Sequence, residues 1–270
     1  MKVPFNINLS GKTAIVTGGS GTLCSAMAYG LAVCGAKVAI IGRNKEKLAS
    51  ISEKLTKDAL DEYNKNVTIK GYSCNVINKD ELSAAYETIK NELGSCDILI
   101  NGAGGNQPGA ITSIEMLKKE KEDSDYSFWN LDEDRIRDVM DLNYMGTLLP
   151  IQVFTKDMVE KRSGSIINIA SVTSILPLTK VIAYGNAKSA ILNLTQWLLV
   201  KAVYAAMQLR QDSTLPSRIM ISYSMLMAHI QTVPERLLPE HLWDALAILK
   251  SLLVLHSFLQ AMKQPALSMV

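Results

Sequence analysis

The last 85 residues of this 270-residue chain contain no glycine, because all 16 glycines lie at or before Gly185. At the rate of the earlier part about seven more are expected there, near the average usage of ~7%. All three histidines and six of the twelve methionines fall in the same stretch, so the composition breaks after Lys188. An excess of one charge is also missing. Net charge is +2, which leaves no electrostatic footprint for nucleic acid or an acidic membrane. Cys24, Cys34, Cys74 and Cys96 form no CxxC pair or other metal-ligand spacing, and no histidine lies near them. No metal site is expected, and the thiols read as reduced core residues of a cytoplasmic protein. The opening residues lack a basic-then-apolar leader. Asp244, Lys250 and His256 interrupt the most apolar late stretch, 242–262, so no membrane span is expected. What is present is 48% hydrophobic and 20% charged residues, enough for one large α/β domain and too apolar for global disorder.

From Lys12 onward strands and helices alternate. Strands are expected at Thr13–Thr17, 37–41, 67–73, 98–101 and 165–171. Helices are expected over 22–34, 45–63, 79–93, about 132–160, and from about Ala183 past Trp197. Leu48, Ile51, Leu55 and Leu60 mark the apolar side of the second helix. Val/Ile runs between helical segments imply a parallel sheet covered on both faces, a doubly wound fold. The excursion 105–130 carries the charged run EMLKKEKEDSD at 115–125. It reads as a solvated segment or as a rim over a pocket at the carboxyl ends of the strands.

Four motifs fall at strand ends. Thr17, Gly18, Gly19, Ser20, Gly21, Thr22, Leu23 and Cys24 follow the first strand and open a helix. Small residues there let backbone N–H groups and a helix N-terminus approach a pyrophosphate. Asn101, Gly102, Ala103 and Gly104 close the fourth strand, where small side chains admit a ribose. Asn143 sits mid-helix in DLNYMG, an unfavourable place for an asparagine without a reason. Ser171 ends the fifth strand, Tyr184 follows it by thirteen residues, and Lys188 lies at i+4 from Tyr184 on the same helical face. A free tyrosine titrates near ~10. A neighbouring ammonium and a positive cofactor ring would make such a phenol a better proton donor and acceptor.

These motifs, in this order, resemble the short-chain dehydrogenase/reductase family over about 9–200. Within it the chain is most similar to the D-mannonate oxidoreductase (fructuronate reductase) group, through TGGSGTLCSAMA, ILINGAGGN, DLNYMGTLLPIQVF and LPLTKVIAYGNAK. The resemblance implies a Rossmann fold and hydride transfer between a nicotinamide and a sugar-acid carbinol or ketone. Tyr184 would exchange the hydroxyl proton and Ser171 would bond the same oxygen. Lys188 would hold the cofactor ribose and depress the phenol pKa, and Asn143 would anchor a relay water. Asn75 and Val76 fall in the adenine pocket, and Tyr184 and Lys188 also touch cofactor. A dimer or tetramer through the helices around Asn143 and Tyr184 is implied as well.

Departures from the family pattern are informative. Thr22 and Cys24 stand where the turn has glycines, and Asn75 replaces the usual Asp. Gly42 replaces the ribose-reading acid, with Arg43 beside it. A guanidinium without a competing carboxylate favours a 2′-phosphate, so NADP is favoured over NAD, although the subgroup points to NAD.

The family's sixth strand, Pro-Gly turn and seventh strand are absent from the tail as written. Residues 203–211 (VYAAMQLRQ) can be encoded as GTA TAC GCT GCA ATG CAA TTG CGC CAG. Joining each third base to the next two permits GIRCNAIAPG, a family-like strand and Pro-Gly turn; its GCA codon is forced by Met207 followed by Gln208. Residues 240–252 regroup in the same way to TPMGRFGDPEEL, whose first Gly is forced by Trp243 and Asp244. The expectation is a domain over 1–200 followed by an out-of-frame tail over 201–270, with the C-terminal strands lost or replaced by helix and the fifth strand left as an open edge. The competing reading is an unrelated helical extension.

Overall fold

The computed structural model describes residues 7–113, 115, 127–211 and 218–221. The strands are β1 (Thr13–Thr17), β2 (Lys37–Gly42), β3 (Thr68–Ser73), β4 (Ile98–Asn101), β5 (Ser163–Asn168) and β6 (Arg218–Ile221). They form one parallel sheet in the order β3-β2-β1-β4-β5-β6. Alternation along the strands feeds two cores. Ile15, Ala39, Ile41, Leu99 and Ile166 face one side, while Ala14, Val16, Val38, Ile40, Ile100 and Ile167 face the other. Helices α1 (Thr22–Val33) and α2 (Lys45–Tyr63) cover the second face. Helix α3 (Lys79–Glu92) and later helices cover the first. This is the doubly wound Rossmann-type arrangement the sequence implied. The strand order reverses between β1 and β4, which opens a crevice at their carboxyl ends.

Local chemistry sets the helix limits. Asn44 accepts from the Lys47 N–H to start α2, and Asn64, in left-handed geometry, ends it. Asn78 accepts from the Asp80 and Glu81 N–H groups to start α3. Leu60, expected on the buried side of α2, is exposed, whereas Ala59 is buried.

The long helix expected over about 132–160 is instead broken. It comprises α4 (Glu133–Met140), a π-helical turn (Asp141–Met145), α5 (Gly146–Phe154) and α6 (Lys156–Lys161). Two features favour the widened turn. Asn143 Nδ2 donates to the Val139 carbonyl at 2.8 Å, and Pro150 has no N–H to offer the Gly146 carbonyl. Helix α7 (Ile182–Gln211) follows β5.

Two expectations about the fifth strand need correction. It ends at Asn168, not Ser171. Ser171 caps a 3-10 turn, Val172–Ser174, through reciprocal bonds with Ser174 that pull the chain out of the ladder. The edge of β5 is not open: β6 pairs with it in parallel, Ser163 to Arg218 through Ile166 to Ile221. Apart from Glu115, the charged run 115–125 lies outside the described residues, as do 212–217 and the tail from 222, including 240–252.

Candidate active site

Thr17, Asn101 and Asn168 stand in register at the carboxyl ends of β1, β4 and β5. Thr17 Oγ1 accepts from the Gly102 and Ala103 N–H groups at 3.1 and 3.2 Å. That bond pair fastens the two small-residue turns to each other. Gly18 has φ +67°, and a Cβ on it would lie 2.9 Å from the Ala103 nitrogen, so glycine is required there. Gly21 caps α1 without any side-chain hydrogen bond, and the first turn, which begins with Thr22 and Leu23, carries no acidic residue. The N-terminal amides of α1 are therefore left for an anion.

The residues expected around the adenosine lie farther along the same edge. Gly42 ends β2 with Ser20 Oγ 3.6 Å from where its Cβ would stand, and Arg43 follows, exposed. Ser73 Oγ donates to the Arg43 carbonyl at 3.1 Å. The Asn75 N–H donates to Glu81 Oε2 at 2.8 Å, and Val76 is buried beside it.

The second group surrounds α7. Lys188 is buried; its Nζ donates to the Ile169 carbonyl at 2.7 Å and lies 5.5 Å from the centre of the Tyr184 ring. Burial pushes its pKa down to about 8, with a small opposing effect from Cys24. Cys24, beneath the first turn, is itself pushed up to about 11 by burial against the Lys188 charge, and so stays a neutral thiol. All four cysteines are free and buried. Tyr184 packs against a small cluster of Ala110, Val139 and Ala183. The turn that carries Ser171 is held on α7 by Ser189 Oγ, which donates to the Ser174 carbonyl at 3.0 Å. Ser171 Oγ accepts from the Thr173 N–H at 3.3 Å, which leaves its hydroxyl hydrogen to be directed elsewhere.

Asn143 is fully buried in the π-helical turn. Its Nδ2 donates to the Gly105 and Val139 carbonyls, and its Oδ1 accepts from the Gly105 N–H at 3.3 Å. Both amide hydrogens are committed, so this side chain fastens the segment after β4 to the helix. Only the second lone pair of Oδ1 remains for a water.

Two contributors escape a reading by motif. One is the Ile169 carbonyl, which holds Lys188; no side chain signals it. The other is the turn Gln107–Pro108–Gly109–Ala110, closed by the Ala110 N–H donating to the Gln107 carbonyl at 3.2 Å. Its Pro-Gly pair was a legible turn signal. Among the described residues no group of three or more His, Cys, Asp or Glu could hold a metal ion. No helix among them is long and apolar enough to cross a membrane.

A phenol beside a buried ammonium, with a directable hydroxyl on a turn bonded to the same helix, suits proton exchange at a carbonyl or carbinol oxygen. The adjoining turns suit a dinucleotide. Comparison with known proteins agrees in kind. A model of the short chain dehydrogenase family matches residues 12–206. The uncharacterized oxidoreductase UxuB of Bacillus subtilis is 40% identical over 214 residues, 79% of this chain and 73% of its own. The 2-dehydro-3-deoxy-D-gluconate 5-dehydrogenase of Formosa agariphila is 34% identical over 191 residues, 70% of this chain and 63% of its own. A crystal structure from Haemophilus influenzae, assigned to a D-mannonate oxidoreductase and holding NAD, is 41% identical with a TM-score of 0.66. It covers 73% of this chain and 68% of that one.

Proposed function

Because the chain belongs to the short-chain dehydrogenase family, we propose that it transfers hydride between a nicotinamide dinucleotide and a sugar acid of the D-mannonate and D-fructuronate kind. The observation that carries this reading is the placement of Tyr184 and Lys188 on one face of α7, with the Ser171 turn bonded to the same helix. The similarity to the Haemophilus influenzae structure supports the substrate class.

The residues present fit a dinucleotide. The α1 N-terminus lacks a side-chain cap, and the Gly18 turn leaves no room for a Cβ. Thr17 to Leu23 would hold the pyrophosphate. Asn101 to Gly104 would wall the ribose, Asn75 and Val76 would flank the adenine, and Lys188 would reach the nicotinamide ribose. The nicotinamide, when bound, supplies or accepts the hydride. Tyr184 gives its hydroxyl proton to the carbonyl oxygen during reduction and takes it back during oxidation. Ser171 donates a hydrogen bond to the same oxygen, and Lys188 keeps positive charge beside the phenol. Gly42 and Arg43 favour NADP over NAD, since the guanidinium can pair with a 2′-phosphate and no carboxylate repels it. NADPH consumption by the purified protein with D-fructuronate tests this reading: oxidation that Tyr184→Phe abolishes while sparing NADPH binding supports it, and binding without oxidation favours the second reading below.

A second reading concerns the tail, and the glycine-free composition beyond Gly185 motivates it. In this reading the chain departs from its family's reading frame near Lys201. It then lacks the Pro-Gly contact to nicotinamide and the cover over the substrate. Such a chain binds dinucleotide through 9–200 but turns over little. The end of the family match at residue 206 supports it. Resequencing the gene tests it, and an intact frame with no displaced base overturns it.

A further inference from the structure

The geometry points to Gln107, held by Arg135, as the receptor for the carboxylate of the substrate, a role that rests on the sugar-acid reading above. The segment from Gly104 to Ala110 is pinned to the catalytic group at both ends. At one end a Cβ on Gly104 would lie 3.5 Å from Lys188 Nζ, and Gly105 is bonded through its N–H and carbonyl to Asn143. At the other end Ala110 belongs to the small buried cluster against which Tyr184 packs. Gln107 therefore projects from the middle of a span that borders the reacting phenol.

That span is rigid. Pro108 and Gly109 occupy the central positions of a type II turn, with Gly109 at φ +89° and the Ala110 N–H bonded to the Gln107 carbonyl. The Gly109 carbonyl also accepts from the Asp132 N–H at 3.1 Å, which ties the turn to the start of α4. A Cβ on Gly109 would lie 3.1 Å from Arg135 Cγ, so glycine lets the arginine stem cross the turn and reach Gln107.

The chemistry of that contact fixes the amide. Arg135 Nη1 lies 3.3 Å from Gln107 Oε1. A guanidinium can only donate, so the oxygen must face it and the NH2 group must face away as a donor. Arg135 also bonds Asp138 Oδ2 at 3.4 Å through the same Nη1. Among the described residues no bond leaves its Nε or Nη2. The two amide hydrogens and the Nε and Nη2 edge of the half-exposed guanidinium face outward as donors, with the exposed Asp138 carboxylate engaged on Nη1, and outward donors suit a carboxylate better than a neutral hydroxyl.

The test is calorimetric binding of D-mannonate and of neutral D-mannitol to the full chain saturated with NADPH; cofactor and ligand are both reduced, so no turnover intrudes. NADPH binding is followed separately by its fluorescence. We expect mannonate to bind more tightly than mannitol. Gln107→Glu, nearly isosteric but without the donors, should weaken mannonate about tenfold to hundredfold, the scale of a lost charge-assisted bond. It should leave mannitol and NADPH binding unchanged, and Arg135→Met should do the same. Equal affinity for the two ligands in the parent chain, or an equal loss of both in Gln107→Glu, overturns the assignment while the dehydrogenase reading stands. Failure to bind either NADPH or NADH overturns both.

Discussion

Lys188 Nζ donates to the Ile169 carbonyl at 2.7 Å, so the ammonium of α7 is held by the backbone just beyond β5. The same bond holds it beside the Tyr184 ring and beneath Gly104. Among the described residues no carboxylate pairs with it, and the charge is carried at a cost that pH can reveal.

Burial lowers the folded-state pKa of Lys188 to about 8, against ~10.4 in an unfolded chain. Between those values the unfolded chain binds the proton and the folded chain does not, so stability rises with pH through that window. Below pH 8 the ammonium is charged in both states and the full penalty applies. Relative to Lys188→Met, the parent chain should gain about 2 kcal/mol between pH 7.5 and pH 10. Denaturant midpoints of the two proteins at both pH values measure it. Parallel pH profiles would show that the buried ammonium carries no such penalty.

Gly104→Ala should disturb catalysis through Asn143. An added Cβ would lie 2.6 Å from Asn143 Oδ1, whose side chain makes three backbone bonds. We expect a loss of about 1–3 kcal/mol in stability and weaker NADPH binding, both read by thermal shift with and without cofactor. Unchanged values would mean that Asn143 can yield without cost.

Thr17→Val should loosen the joined turns. Its hydroxyl oxygen is the acceptor for two part-buried N–H groups, those of Gly102 and Ala103, and leaving such donors unmet costs about 1–3 kcal/mol. Chemical denaturation measures the loss, which Thr17→Ser should restore in part.

Arg43→Ala tests cofactor choice. If the guanidinium pairs with a 2′-phosphate, its removal weakens NADPH by about 1.5–3 kcal/mol and leaves NADH nearly unchanged. Fluorescence titration with both cofactors checks this. Equal losses would make Arg43 a structural residue only.

The sheet was legible because its strands are short Val/Ile runs buried on both faces, and Ile15 and Val16 need only alternate to feed two cores. Glycine clusters and the i+4 pair Tyr184–Lys188 likewise carry their geometry in the sequence. The break at Asn143 did not show. It depends on a side-chain amide taking the Val139 carbonyl, and periodicity does not encode that choice. The end of β5 was misplaced because Ser171 pairs with Ser174 rather than with the ladder. The strand at Arg218–Ile221 was missed for a different reason: a four-residue RIMI run has too little periodicity to announce itself.

The most direct test is NADPH consumption with D-fructuronate by this chain and by one whose reading frame is restored near Lys201. On the displaced-frame reading the restored chain should unfold cooperatively and turn over, because it would regain the half-site that holds nicotinamide and excludes water. Tyr184→Phe in it should abolish turnover and keep NADPH binding, since only the proton donor is removed. This chain should bind NADPH with little turnover. A restored chain that folds and binds NADPH yet reduces no sugar-acid ketone, or that keeps its rate in Tyr184→Phe, contradicts the account.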